Sequence, residues 1–487
     1  MNTRTFKLVT LAMISALYVG NVAAEELQQS DLTLATQQLE LENKVEEARL
    51  AAEKKAEEER LELEAEKRFS ERLGEVSLQF KPLIAKIYVE NHFSPIWTDN
   101  QAKQQFLHDY ALAIAGGVSK RSANALNAIH EATGKGELIE DVLLTDAFLD
   151  YLFYATNVAK SAQKWLYAGN SYKVGQLSDE QVSAWLSAVK NNDNLTFVKN
   201  LSGENALFKQ TSARVAHVIE AGVDKHNMVE LHRLAINAQR LRILPVFQDG
   251  IFVNIPSYEL NYYRDGQVVL SSRVIVGQSS RKTPVMSSRL SNVVVNPPWN
   301  APTRLINEDI IPKVRKDPSY IYRHGYTIID GSGNTIDPYT IDWENMSAKR
   351  FPYRLRQAPS DNSALGNYKF NMPSSEAIYL HDTPKRNLFG NKNRALSSGC
   401  VRVEKSDQLA TILLKEAGWT DERKQNVLKS KKTTSAGIKS DNPVFLYYVT
   451  AWVDKDQVHT LPDIYGYDKT PDLSYINWDI LKHYIQR

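Results

Sequence analysis

The spacing of apolar residues changes once along this chain, at Leu244-Pro245, and that change constrains the fold more than any other feature. From Leu78 to about Arg240, apolar residues recur three and four apart, as in Leu144, Phe148, Tyr151 and Leu152. Beyond Pro245 come β-branched and aromatic runs separated by turn signals: Ile251 to Ile255, Val268 to Val276 behind Asp265-Gly266, and Val293 to Asn296. One element type cannot serve both patterns, because side chains share a face about every 3.6 residues in a helix and every two in a strand. The expected fold class is therefore multidomain, α plus mainly β. An all-helical scaffold domain is expected over 78–240 and a sheet-rich domain over 241–465, with Ala377 to Leu380 and Val444 to Val453 as further strands. A chain of 487 residues also exceeds the size at which one core usually keeps growing.

Three further segments flank or interrupt these domains. Between Trp299 and Leu365 lies a Pro-, Arg- and Tyr-rich stretch without strand alternation, too long for a plain loop in a compact domain, so 303–360 reads as an inserted subdomain. Residues 25–77 are a charged arm, rich in Glu, Ala, Lys, Arg and Leu over 32–76, with i,i+4 pairs such as Glu40 with Lys44 and Glu64 with Arg68. Leu41, Val45, Ala48 and Ala52 fit a coiled-coil seam that Lys55 and Glu59 then break, which favours a single helical arm or spacer over a coiled coil. Such an arm is also a candidate site for a protein partner. Residues 466–487 read as a C-terminal tail.

The first 24 residues resemble a secretory leader: Arg4 and Lys7, an apolar run from Leu8 to Val19, and the small-residue site Val22-Ala23-Ala24. Cleavage after Ala24 and export to the periplasm are expected. The alternative is an uncleaved anchor in the inner membrane, although the apolar run falls short of the roughly 20 residues a spanning helix needs. Loss of Arg4 and Lys7 would bring the basic count from 59 down to the acidic count of 57, a formally neutral chain that offers no basic patch for nucleic acid.

The chain has one cysteine, Cys400. Exported proteins usually use cysteine in disulfide pairs, so a lone thiol calls for an explanation. A buried structural cysteine is one. The surroundings of Cys400 suggest another. A strand-like Ile378-Tyr379-Leu380 leads into His381-Asp382-Thr383-Pro384, and nineteen residues after His381 comes Cys400 within Ser397-Ser398-Gly399-Cys400-Val401-Arg402-Val403. A cysteine nucleophile needs a partner that takes its proton, usually a histidine, and His381 is the nearest in sequence of the ten. Gly399 permits a tight turn that would aim the amides of Ser398, Gly399 and Cys400 at a developing oxyanion.

The segment from His381 to Arg402 resembles the L,D-transpeptidase signature, in which a histidine precedes a Ser/Thr-x-Gly-Cys element at a fixed interval. Many members carry a second histidine just before the Gly-Cys pair; this chain has Ser398 there. Arg240 to Pro245, Gly277 with Lys282-Thr283-Pro284-Val285, Asn296-Pro297-Pro298-Trp299-Asn300-Ala301-Pro302, Asn362 to Gly366 and Tyr88 to Asp99 are also similar to a large periplasmic branch of that family. The likeness spans roughly residues 78–465.

The resemblance implies a sheet-rich catalytic domain with a capping insertion over the active site and no cofactor or metal. Cys400 would attack the L-to-D bond of a donor stem tetrapeptide of peptidoglycan, releasing D-alanine and leaving a thioester. A diaminopimelate amine of a second stem would resolve it into a 3-3 cross-link. Water, a free D-amino acid or a protein amine are alternative acceptors, and a non-catalytic wall-binding scaffold is the alternative outside enzymes. Asp382, Ser397, Arg402 and Tyr379 are candidates for orienting the imidazole or binding substrate. Asp382 could act through its side chain or its backbone carbonyl, or serve only as a turn residue. Arg402 suits a stem carboxylate or a surface ion pair. The insertion, with Arg304, Lys313, Arg315, Lys316, Arg323, Lys349, Arg350, Arg354 and Arg356 and with Tyr320, Tyr322, Tyr326, Phe351 and Tyr353, reads as a groove for acidic stems or as a solvated face. A serine D,D-transpeptidase is the rival on short matches, Ser161-x-x-Lys164, Ser279-x-x-Lys282 and Ser440-Asp441-Asn442, but the K-T-G element is missing. No H-E-x-x-H or similar cluster points to a metallopeptidase.

Overall fold

A computed structural model describes residues 40–486 apart from 42, 168–171, 348–350 and 439–441. The expected leader, its cleavage site at Ala24, and Lys349, Arg350, Ser440 and Asp441 lie outside the described residues. No helix among the described residues is long and apolar enough to cross a membrane. The chain divides into two compact units, one of residues up to Ile96 with Gly134–Asp146, the other of Trp97–Thr133 with Ala147–Arg487.

In the first unit the arm is helical over 43–73, with side chains exposed as far as residue 64. It carries its own charge pairs, Arg60 with Glu57 and Glu64 and Arg68 with Glu64. The helix Lys81–Glu90 follows, and Asp141 ties this unit together by accepting from the Tyr88 hydroxyl at 2.5 Å and the Ile96 amide at 2.9 Å.

The second unit holds the remaining helical and sheet regions together. Helices Asn100–Ala115, Asp179–Lys190, Ala206–Ala221 and Met228–Arg242 pack around aromatic residues, with Trp97 5.3 Å from Phe106 and Phe148 4.8 Å from Trp185 between ring centroids. The helices continue directly into the sheet through polar ties. Asn237 bonds Thr450 in both directions, and Thr211 accepts from the Val453 amide. Residues 466–487, read from the sequence as a tail, include the helix Trp478–Ile485, which packs on Asn100–Ala115 and buries Leu481, Tyr484 and Ile485. Its apolar face is too wide to stay in solvent.

The sheet strands run in chain order β1 (Gly250–Asn254), β2 (Glu259–Arg264), β3 (Gln267–Gly277), β4 (Met286–Arg289), β5 (Asn292–Val295), β6 (Trp299–Asn300), β7 (Tyr326–Ile329), β8 (Thr335–Ile336) and β9 (Arg354–Gln357). They continue as β10 (Tyr368–Asn371), β11 (Leu380–His381), β12 (Ala395–Ser397), β13 (Val401–Val403), β14 (Thr434–Gly437), β15 (Pro443–Tyr447), β16 (Ala451–Asp454) and β17 (Gln457–Thr460). The main sheet has the order β14-β5-β10-β11-β13-β3-β2-β1-β15-β4, with β12 also on β3. The expected run Val444 to Val453 is two strands: β15 closes on β1, and β16 pairs with β17 beside the helix Ala206–Ala221. Of Ala377 to Leu380 only Leu380 is strand, because Ala377 takes a left-handed φ of 54° that breaks the ladder.

The insertion is a body in its own right. Strands β6, β9, β7 and β8 form a small sheet, and short helices within 303–323 pack on it around Ile306, Ile310, Val314, Ile321, Ile328, Trp343 and Leu355.

Candidate active site

Strands β11 and β13 run parallel at the centre of the main sheet, with Leu380 opposite Val401 and His381 opposite Arg402. Alternation sends Leu380, Val401 and Val403 into the core, all fully buried, and leaves Tyr379, His381, Cys400 and Arg402 on the other face. All four line one cavity of about 510 Å³ whose opposite wall is the insertion, through Arg304, Asp309, Lys313, Tyr320 and Tyr326. Of the insertion's other cations, Arg315 is spent on the Trp343 and Met346 carbonyls and Arg323 on Asp317.

The turn that presents Cys400 depends on two neighbours. Gly399 adopts φ of 121°, in the region that favours glycine, and a Cβ there would meet Ile378 at 3.3 Å. The Ser397 hydroxyl braces the turn, accepting from the Gly399 amide at 3.1 Å and donating to the Cys400 carbonyl at 2.6 Å. Two of the expected roles change as a result. The Gly399 amide is occupied, leaving those of Ser398 and Cys400 as oxyanion candidates, and Ser397 orients the turn with its one hydroxyl proton committed to the Cys400 carbonyl. Thr283 holds the turn from the other side, its hydroxyl donating to the Gly399 carbonyl at 2.7 Å.

His381 is buried, and its Nδ1 lies 2.5 Å from the Asp382 backbone carbonyl. That contact requires a proton on Nδ1, which leaves Nε2 as the lone-pair nitrogen. Orientation by Asp382 thus goes through its backbone. Its carboxylate is occupied elsewhere, accepting from the Asn367 amide, Arg386 and Ser406. Gly366, with φ of 57°, makes room for it; a Cβ there would sit 2.4 Å from Asp382 Oδ2.

The electrostatics favour the neutral forms of both the His381 imidazole and the Cys400 thiol. Burial, then the positive charges of Arg402 and Lys369, push the His381 pKa down to about 3, against the Asp382 hydrogen bond that raises it. Burial raises the Cys400 thiol, opposed by hydrogen bonds from the Tyr379 amide and hydroxyl and by the charges of Lys369 and Arg402. The thiol itself faces the Ala377 carbonyl at 3.9 Å. Arg402 has no surface ion pair: its Nε is buried without a hydrogen-bond partner among the described residues.

Lys369, Trp299 and Arg281 were not singled out as site residues in the sequence. Lys369 stands opposite His381 on β10 with its Nζ 4.2 Å from the Tyr379 ring centroid, and Trp299 hydrogen-bonds the Tyr379 hydroxyl. A lysine between Tyr368 and Phe370 in an otherwise apolar strand was the available signal for the first. Arg281 joins the cap to the nucleophile turn, pairing with Asp309 at 2.6 Å and donating to the Ser398 hydroxyl at 3.1 Å. The rival Ser161 is bonded to the Asn157 carbonyl within its own helix.

The thiol and a neutral, backbone-oriented imidazole thus line one cavity in the sheet domain. Residues 248–417 match the L,D-transpeptidase catalytic domain family, and 82–214 match the scaffold domain family. A Haemophilus influenzae protein named "Putative L,D-transpeptidase" is 59% identical over 414 residues, covering 85% of this chain and 84% of that one. The chain belongs to the L,D-transpeptidase family. Two solved structures also align: the Ldtfm-avibactam carbamoyl enzyme (12% identity, TM-score 0.20, 42% of this chain and 50% of that one) and the ertapenem-acylated catalytic domain of the Enterococcus faecium L,D-transpeptidase (11%, 0.19, 41% and 98%).

Proposed function

We propose that this chain is an exported peptidoglycan L,D-transpeptidase that forms 3-3 cross-links through a Cys400 thioester. The observation that carries this reading is the His381 tautomer: with Nδ1 committed to the Asp382 carbonyl, Nε2 is left as the base on a ring that lines the same cavity as Cys400. Nε2 takes the thiol proton as Sγ attacks the carbonyl of the L-to-D bond, and the Ser398 and Cys400 amides bind the oxyanion. The departing D-alanine amine receives that proton from His381, and the thioester remains. A diaminopimelate amine then attacks the thioester, passes its proton to His381, and displaces the thiol. Arg402, with an open donor on the cavity floor, is suited to a stem carboxylate.

Intact-protein mass spectrometry with a carbapenem tests the nucleophile and the base. The wild type gains one acyl group, Cys400→Ala gains none, and His381→Ala acylates about 10² to 10⁴ times more slowly. An adduct on Cys400→Ala would refute the nucleophile. Incubation with a disaccharide-tetrapeptide should give a cross-linked dimer with loss of D-alanine; a tripeptide product alone would make water the acceptor.

A further inference from the structure

Three basic side chains stand in one row across the main sheet, because the register sets Lys369 opposite His381 and His381 opposite Arg402. The two outer cations have no carboxylate partner among the described residues. Arg402 Nε is buried and unbonded, and Lys369, half-buried, rests on the Tyr379 ring at 4.2 Å. A buried cation without a counter-ion is costly, and an anion arriving beside it recovers that cost. The anion this site generates is the Cys400 thiolate. Tyr379 lies between the two groups, since the Val401 amide bonds the Tyr379 carbonyl at 3.2 Å and so sets Cys400 beside Tyr379. The phenol oxygen receives a hydrogen bond from Trp299, which turns its own proton toward the sulfur.

Most other charged groups of the cavity are engaged elsewhere. Arg281 pairs with Glu308 and Asp309 of the cap, Arg304 pairs with Glu308, and Lys313 lies 5.5 Å from the Tyr320 ring centroid. Lys282 donates to the Tyr465 carbonyl at 2.8 Å, and Glu376 stands on the loop before β11.

We propose that Lys369 is a positioning residue of the nucleophile: stacked on Tyr379, it fixes the phenol against Cys400 and, left without a counter-ion, favours the thiolate. The charge left when the thiol loses its proton is then held by Lys369, Arg402 and the Tyr379 hydroxyl, and His381 works as a neutral base. This rests on Cys400 being the nucleophile. The test therefore reads the thiol itself, and failure of peptide transfer with the pattern below intact would refute only the transpeptidase reading.

The rate of Cys400 alkylation by iodoacetamide is followed against pH on the full chain by intact mass. Lys369→Met should move the midpoint up by about one pH unit, making alkylation roughly tenfold slower at a pH below both midpoints. Lys369→Arg should restore most of that. In a Tyr379→Phe background the further loss from Lys369→Met should shrink, because the ring transmits part of the effect. A Lys369→Met midpoint coincident with wild type, in protein of unchanged melting temperature, overturns the proposal. Fully additive shifts in the double variant overturn the part assigned to Tyr379.

Discussion

Two arginines in the same unit are treated in opposite ways. At the junction of helices and sheet, Arg240 is fully buried and every donor is used: Asp468 at 2.6 Å, Asn237 at 3.2 Å, the Leu166 carbonyl at 3.2 and 3.1 Å and the Tyr467 carbonyl at 2.7 Å. On the cavity floor, Arg402 keeps a buried Nε with nothing to bond. Desolvating a guanidinium is expensive in both places, and a fold built for stability alone would satisfy both. The contrast separates a cation whose every donor holds the molecule together from one whose buried Nε is left open, as the proposed binding of a stem carboxylate requires.

The largest expected effect tests that separation directly. Arg240→Met leaves the mostly buried Asp468 with only Arg233 and Thr450 on Oδ2, and takes the donors from its Oδ1 and from the Leu166 and Tyr467 carbonyls, so it should lower unfolding stability by about 3–5 kcal/mol. Arg402→Met strands no partner and should stay within about 1 kcal/mol of wild type, because it removes a desolvated charge and keeps most of the apolar stem. Urea midpoints of the two variants decide the matter. Equal losses would make Arg402 a structural residue and remove its assignment to substrate.

How much of this was legible beforehand follows sequence distance. Cys400 and His381 sit in a short continuous motif, and their roles need only a two-strand ladder between neighbouring segments. The pairing of Arg281 with Asp309, the reach of Thr283 to Gly399 and the approach of Lys369 to Tyr379 join segments whose adjacency only the whole sheet creates. Period-two alternation located β1, β3 and β5, yet it could not show that Val444 to Val453 changes sheets at Tyr448 to Thr450. The helix Trp478–Ile485 was overlooked because a short C-terminal segment reads as a tail until the groove that buries it is known.

A smaller effect comes from two buried histidines, His381 on the cavity floor and His232 among the helices. Burial is the leading cause in both, pushing their pKa values from 6.5 down to about 3 and about 4. The unfolded chain binds protons at these positions before the folded one does. The stability they contribute is therefore fully present above about pH 6.5, declines as pH falls below it, and stops declining only near the folded values. Each contributes a slope of up to about 1.4 kcal/mol per pH unit in that window. His381→Gln should flatten the stability curve between pH 6 and 4, and His232→Gln should flatten it over a narrower range. A His381→Gln curve parallel to wild type would mean that His381 titrates in the fold as it does in the unfolded chain, so that burial does not hold the imidazole neutral below pH 6.5.

The smallest expected effect belongs to the arm helix, which has charges of a third kind, exposed and paired among themselves. Arg60 bridges Glu57 and Glu64, Arg49 bridges Glu46 and Glu53, and the side chains stay exposed through residue 64. Exposed i,i+3 and i,i+4 pairs support their own helix weakly and transmit nothing to distant groups, because solvent screens them. Apolar packing begins only at Ala65 and Phe69, the first buried residues of the helix. A chain starting at Glu64 should therefore acylate with a carbapenem within about twofold of the longer chain and melt at the same temperature, whereas a chain starting at Gly74 loses Phe69 from beside Tyr88 and should melt lower. Stopped-flow acylation and thermal melts of the two truncations distinguish these cases. A loss of acylation on removing residues 40–63 alone would show that exposed, self-paired charges in this protein reach the thiol after all.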